Sequence, residues 1–319
     1  MDTAVRQVHD VPVVMPYRLD LTVSALRRLA TNVVDLLTPE GQYVRALSGD
    51  PQPLIVRATQ IRHESSISIT IEGDTVKGGD TLDLVRAMLG CDRDLDEFAR
   101  SAAQIPWLAA LVERMRGVKP PRYPSLWEAC ANAIVFQQVS LRAASSIMQR
   151  LIVTLGCPVE VEGFRAYAFP TMESVRDASD DALRASGVSA GKLTALRGVA
   201  DAIASGTLDA ERLSRCSSPD AAALLRKIRG IGPWTASVIL LRGLGRLDVF
   251  PANDTSVASN IALAAGSEPF DAQLVLDTLG EQRGMLYFYL LLARLEARGE
   301  IGRPSVSRDG HVPEDPAYR

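Results

Sequence analysis

The chain gathers glycine, proline, tryptophan and positive charge into one stretch. Gly230-Ile231-Gly232-Pro233-Trp234-Thr235 follows the basic run Arg226-Lys227-Ile228-Arg229, and Asp254 stands further on, after Pro251. One helix ending near Ile228, two glycines bracketing a tight turn and a proline in the first turn of the next helix describe a helix-hairpin-helix. Glycine admits positive φ and lets a second backbone come close. The new helix then offers unpaired N–H groups and the positive end of its dipole, an arrangement that binds an anion such as phosphate. Arg226, Lys227 and Arg229 add cationic charge beside it. A plainer reading stands next to this one, because turns between helices favour glycine and basic helix faces are usually solvated. Asp254 precedes the helical pattern TSVASNIAL, which makes it a helix N-cap, a task Asn253 can share. Asp248 reads as a residue that holds the loop.

Other chemistry is poorly supplied. His9, His63 and His311 lie near the ends or in a strand-like region, which argues against a histidine-based triad or metal site. Cys91, Cys130, Cys157 and Cys216 never form a C-x-x-C pair, so neither structural zinc nor an iron–sulfur cluster is expected, and all four read as buried thiols. Acid–base chemistry falls to carboxylates, and no cofactor is expected. A net charge of −3 excludes a globally basic nucleic-acid binder, so positive charge matters only where it clusters. It clusters between Cys216 and Arg246, where Arg226, Lys227, Arg229, Arg242 and Arg246 face Asp220 alone.

The elements that must carry these residues fall into two parts. Hydrophobic content of 47% with 23% charge is that of a folded chain. No apolar run approaches the ~20 residues of a membrane helix, and the first residues carry acids where a signal peptide would be basic, which points to a cytoplasmic protein with no membrane partner. Over residues 17–75, YRLDLTV and SISITIEG alternate with period two around a helical VSALRRLATNVVDLL, and GDPQP marks a turn. After Gly79 nearly everything has helical spacing. LDEFARSAAQIPWLAALVERM and LWEACANAIVFQQVSLRAASSIMQRLIVTLG each read as one continuous pattern, and no repeat of solenoid period occurs. The expected fold class is α+β: a small N-terminal mixed α/β domain (1–100), a larger all-helical domain with the helix-hairpin-helix (101–302) and a mobile tail (303–319).

GIGPWTA, DVFPAND and the distance between them resemble the signature of the helix-hairpin-helix DNA glycosylase superfamily. PPRYPSLWEACANAIVFQQVS is similar to the start of that family's catalytic domain, and the segment from Phe169 to Asp209 looks like its middle helices. The alkylation-repair branch, DNA-3-methyladenine glycosylase II, is the most similar, since its members also carry an N-terminal α/β domain. The resemblance implies an enzyme that flips a damaged base out of duplex DNA and hydrolyses its bond to the sugar, with damaged double-stranded DNA as partner, acting as a monomer on nucleoid DNA in a bacterial type of cytoplasm.

Residue by residue, the resemblance implies phosphate anchoring at Gly230, Gly232 and Thr235 with Arg226, Lys227 and Arg229 around them, and a wedge in the FQQVS segment from Gln138 with Gln137 beside it. It implies Asp254 as the catalytic carboxylate. Trp234 stands where bifunctional relatives carry a lysine nucleophile, which implies hydrolysis without a Schiff base and a wall for the flipped base. Gln282, Tyr287 and Tyr289 are the further base-pocket residues, and the carbonyls of Arg226, Ile228 and Gly230 are a family position for a monovalent cation. Two other readings remain: a glycosylase for another damaged base, and a helix-hairpin-helix protein that only binds DNA.

Overall fold

The structure, a computed structural model, describes residues 5–49, 52–61, 64–73, 78–251 and 256–305. Strands β1 (Val5–Pro12), β2 (Asp35–Leu37), β3 (Tyr43–Leu47), β4 (Leu54–Thr59) and β5 (Ser66–Gly73) form one antiparallel sheet in the order β1-β5-β4-β3-β2. SISITIEG is β5, and its alternation has the expected cause: Ile67, Ile69 and Ile71 are buried on one face. GDPQP lies in the connection from β3 to β4, with residues 50 and 51 outside the described ones.

YRLDLTV is not a strand. From Leu19 to Arg27 the chain is a helix, α1, and the DLL of the expected helix VSALRRLATNVVDLL is strand β2. Of the nine α1 residues only Asp20 is not buried, so the helix has no polar stripe to reveal its period. It packs with α2 (Gly78–Met88) against the face of the sheet that carries Ile67, Ile69, Val56 and Tyr43.

The helical part continues through α3 (Asp96–Ala102), α4 (Pro106–Arg114), α5 (Leu126–Val135) and α6 (Leu141–Leu155). The two long patterns are therefore each two helices. Ile105, in extended conformation before Pro106, starts α4, because proline excludes the helical region for the residue ahead of it. Gln138, with φ of 53°, and the N-cap Ser140 separate α5 from α6. A short hairpin of β6 (Cys157–Val161) and β7 (Phe164–Ala168) then interrupts the helices, another departure from the all-helical expectation. Its Phe164 and Ala166 cover Leu36, Val44 and Ala46 on the second face of the large sheet. Cys157, on β6, is exposed and Cys216 is half-buried, so only Cys91 and Cys130 are buried thiols.

Helices α7 (Met172–Asp177), α8 (Asp180–Ala185), α9 (Ala190–Ala204), α10 (Ala210–Arg215), α11 (Ser218–Leu225) and α12 (Pro233–Gly243) build one helical core with α5 and α6. Helices α13 (Ser256–Ala265), α14 (Ala272–Leu279) and α15 (Gly284–Glu296) build a second with α3, α4 and part of α1. Ser305, at the start of the expected tail, is fully buried: its backbone N–H donates to the Leu37 carbonyl at 2.7 Å and its hydroxyl accepts from Arg27 at 2.7 Å. Residues 306–319 lie outside the described ones. No described helix is long and apolar enough to cross a membrane.

A buried ionic network joins sheet and helices. Arg45 on β3 donates to Asp35 on β2 at 2.6 Å and to Glu128 on α5 at 2.5 Å, and the Tyr43 hydroxyl also donates to Asp35, at 2.8 Å. Deleting one partner of such a set leaves a buried charge unpaired and costs about 3–5 kcal/mol.

Candidate functional site

Ile228 and Ile231 close the turn between α11 and α12, with the Ile231 N–H donating to the Ile228 carbonyl at 3.1 Å. Gly230 has φ of +91°, and a Cβ there would stand 2.6 Å from the Ala195 side chain on α9. Gly230 is thus required by the fold itself. Gly232 is different: its φ of −90° and ψ of −178° suit any residue, and a Cβ would meet nothing within 4 Å. What glycine provides at 232 is an uncovered approach to the first turn of α12. That turn is open in a second sense. Each helix from α5 to α11 has a Ser, Thr or Asp side chain capping its N-terminus, whereas α12 has no side-chain cap. Its first N–H groups are left for an external acceptor, the arrangement the sequence predicts for an anion.

Arg226, Lys227 and Arg229 are exposed around the turn and form no ion pair among the described residues. Arg242 and Arg246, from the same basic run, are committed elsewhere. Arg242 is buried, donates to the carbonyls of Ala25 and Leu26 at the end of α1 at 3.0 and 2.9 Å, and lies over the Tyr123 ring. Arg246 donates to the carbonyls of Leu213 and Cys216, at 2.7 and 2.6 Å. Both serve the electronegative ends of helices.

The hairpin opens onto a cleft of about 1050 Å³ between the two helical cores. One wall is Gly230 to Thr235; the other carries Tyr287, Leu290, Leu291 and Arg294 of α15; the turn from Phe136 to Leu141 runs between them. Trp234 lines the cleft, with its indole N–H buried and without a hydrogen-bond partner among the described residues. Gln137 is spent on the hairpin: its side-chain amide donates to the Gly230 carbonyl at 2.8 Å and to the Thr235 hydroxyl at 2.6 Å. Thr235 is buried, and its hydroxyl is taken up by Gln137. Gln138 is exposed at the turn in the left-handed region, with Val139, 40% exposed, beside it. A non-glycine residue held there stores strain of about 1–3 kcal/mol, a cost found at functional turns.

Tyr287 reaches the cleft and Tyr289 does not. Tyr289 is buried and stacks on Phe98 with ring centroids 5.1 Å apart, inside the second core. Gln282 lies in the 3₁₀ turn Gly280–Gln282, away from the cleft lining, with its side-chain carbonyl buried and unpaired among the described residues. Asp254, Asn253 and Thr255 lie outside the described residues, while Pro251 on one side and Asn260 on the other line the cleft. Asp248 is exposed.

Sequence reasoning missed Arg28. It comes from the end of α1 with φ of 67°, lines the cleft, and places its guanidinium 3.7 Å from the centroid of the Phe136 ring. Burial pushes the Tyr287 phenol up, but the nearby guanidinium charges of Arg28 and Arg242 outweigh it and bring the group below its ordinary value. Burial opposes the charge on Arg28 in turn, and Tyr123 and Tyr287 more than restore it. Phe250, Leu290, Leu291 and Arg294 complete the lining and carried no local signal, since each reads as ordinary helix or loop composition.

Residues 131–275, which hold the hairpin and one wall of the cleft, match the HhH-GPD superfamily base excision DNA repair protein. These residues form a domain of the HhH-GPD superfamily. Over 172 residues it is 31% identical to DNA-3-methyladenine glycosylase of Bacillus subtilis, a match covering 54% of this chain and 57% of that protein. The matches thus span 57% and 33% of the length of the first curated relatives. The 3-methyladenine DNA-glycosylase of Archaeoglobus fulgidus has the same fold over nearly its whole length, with a TM-score of 0.73 and 25% identity over 91% of this chain and 99% of that one. The 3-methyladenine DNA glycosylase of Schizosaccharomyces pombe, solved in complex with abasic DNA, superposes with a TM-score of 0.51 at 26% identity, covering 61% of this chain and 94% of its own.

Proposed function

We propose that this HhH-GPD protein is a monofunctional DNA glycosylase that flips alkylated purines of the 3-methyladenine and 7-methylguanine type out of duplex DNA and hydrolyses their bond to the sugar. The observation that carries the reading is the uncapped N-terminus of α12 behind Gly232, opening onto a cleft walled by Trp234. The names of the relatives point to the same substrate class.

In this reading the N–H groups of α12 hold a backbone phosphate, with Arg226, Lys227 and Arg229 adding charge. Gln138, at the tip of the strained turn, fills the space that the extruded nucleotide leaves. The base enters the cleft against Trp234, whose ring face suits an electron-poor, positively charged purine. Asp254 supplies a carboxylate that stabilises positive charge on the sugar as the base departs, and it orients the water whose oxygen bonds to C1′ and takes the proton that water gives up. The electron pair of the broken bond leaves with the base. With tryptophan at 234 no lysine is placed there to form a Schiff base, so the strand stays intact at the abasic site. A monovalent cation fits the hairpin carbonyls: those of Ile228 and Gly230 each accept one hydrogen bond, from the Ile231 N–H and Gln137, and keep a lone pair.

Asp254→Asn tests the reading, because asparagine caps a helix almost as well as aspartate but lacks the charge. Single-turnover release of 3-methyladenine is expected to fall about a hundredfold to a thousandfold, while the melting temperature and abasic-analogue binding hold. Near-normal excision by this variant would make Asp254 a cap and move the search to Asp248. Borohydride trapping during turnover is expected to give no covalent adduct.

A further inference from the structure

Arg28 is a buried charge without a counterion. It is 4% exposed, lines the cleft, and forms no ion pair among the described residues. What surrounds its guanidinium is the ring of Phe136, 3.7 Å from the centroid, and the phenols of Tyr123 and Tyr287. The planar fork of a guanidinium carries more N–H donors than two phenol oxygens and a ring face can occupy.

Local structure does not account for the residue. A cation would serve the electronegative end of α1, but Arg242 already does so, donating to the carbonyls of Ala25 and Leu26. The backbone at position 28, with φ of 67°, is one that glycine adopts readily and other residues adopt at a cost. An arginine kept there, buried and short of acceptors, points to a ligand that supplies them.

The cleft narrows the choice of ligand. None of its described lining residues is an acid, and the indole N–H of Trp234 is a second buried donor without a partner among the described residues. Buried as it is, Arg28 does not reach a phosphate at the rim. Its acceptor has to enter the cleft, and in the glycosylase reading the group that enters is the base. Guanine derivatives carry a carbonyl oxygen at C6, an acceptor, where adenine derivatives carry an amino group, a donor.

We propose that Arg28 reads the flipped base, donating to the C6 carbonyl of an alkylated guanine and disfavouring the amino group of an alkylated adenine. The proposal rests on the reading of the protein as a glycosylase for alkylated purines and adds a preference within that class. The same contact assists the reaction. As the bond to the sugar breaks, its electron pair moves onto the base and the C6 oxygen gains electron density, so a hydrogen bond from a buried cation strengthens in the transition state.

The test uses duplex DNA treated with dimethyl sulfate, which carries 7-methylguanine and 3-methyladenine together, and chromatography to follow single-turnover release of each base. Arg28→Met keeps an unbranched side chain against Phe136 and removes the donors. It is expected to lower the ratio of 7-methylguanine to 3-methyladenine release about tenfold to a hundredfold. Binding to a duplex with an abasic analogue, which has no base to read, should hold. Arg28→Lys keeps the charge and loses the planar fork; it is expected to lower the ratio by less, and it carries the test if the methionine variant does not fold. A ratio equal to that of wild type, or both rates falling together, overturns the proposal and leaves the glycosylase reading intact. A wild type that releases neither base overturns both.

Discussion

The two walls of the cleft are built from different materials. The hairpin wall is backbone: an uncapped helix end, a glycine that collides with α9 if enlarged, and a glycine that collides with nothing. The α15 wall is side chains: Tyr287, Leu290, Leu291 and Arg294, aimed by a helix packed in a separate core. A backbone wall recognises what every nucleotide has, its phosphate, while a side-chain wall can be shaped for one base. In the proposed reading, phosphate falls to the N–H groups of the hairpin and the base lies between Trp234 and the side chains of the α15 wall, while α12 ties the two cores together through Leu240 on one side and Leu241 on the other.

The sharpest break of this comparison lies within the hairpin. Gly230→Val should destabilise the fold by about 3 kcal/mol, from positive φ and the clash with Ala195 together. Gly232→Val should leave the melting temperature within a degree or two and weaken binding to every duplex alike. If Gly232→Val unfolds the protein, or Gly230→Val is tolerated, the division between a glycine for the fold and a glycine for the ligand is wrong. A smaller loss, about 1–2 kcal/mol, is expected for Gln137→Leu, which leaves the Gly230 carbonyl and Thr235 hydroxyl without their shared donor. Chemical denaturation of this variant, with duplex binding measured beside it, shows whether the latch holds the hairpin in its binding shape.

The smallest effects separate two tyrosines two residues apart. Tyr289→Phe keeps the stack on Phe98 and should leave excision unchanged, whereas Tyr287→Phe removes the phenol that lies in the field of Arg28 and Arg242 at the cleft. Because the folded-state pKa of Tyr287 lies below its ordinary value, the unfolded chain binds more protons there as pH rises toward 10. Wild type should therefore gain stability over Tyr287→Phe through that alkaline range and lose the gain as pH falls through the folded value. Melting curves of the two proteins at neutral and alkaline pH measure it.

The same contrast explains what could be read from the chain. Gly230, Gly232 and Pro233 are local punctuation, and the hairpin they mark is in the structure. The α15 wall has no such marks: Tyr287 and Tyr289 look alike in GMLYFYLLL, and only the packing against Phe98 sends one inward. Arg28 was illegible because nothing in ALRRLAT distinguishes the arginine at the cleft from Arg27, which turns to Ser305. The first half of α1, within YRLDLTV, reads as a strand because tertiary burial covers the helix on nearly every side, while its second half, in VSALRR, reads as the helix it is. The β6–β7 hairpin escaped for the opposite reason, as only Phe164, Ala166 and Ala168 on β7 and Val161 on β6 face a core and four positions are too few for a period. The role of Asp254 rests on family signature alone.

The contact between Arg27 and Ser305 joins residues 278 apart in the chain. Arg27 also takes the carbonyls of Glu300 and Arg303, so the end of α1, from which Arg28 enters the cleft, is fastened by residues near the other end of the polypeptide. Contacts of such separation form late, since the loop they close must first be ordered. The core around the hairpin contains no residue from this fastening, so it can assemble while the segment from Glu300 to Ser305 is still undocked. The corner of the cleft that Arg28 occupies is then the last part of its wall to be set, and loosening residues 300–305 would reach the cleft without touching the hairpin.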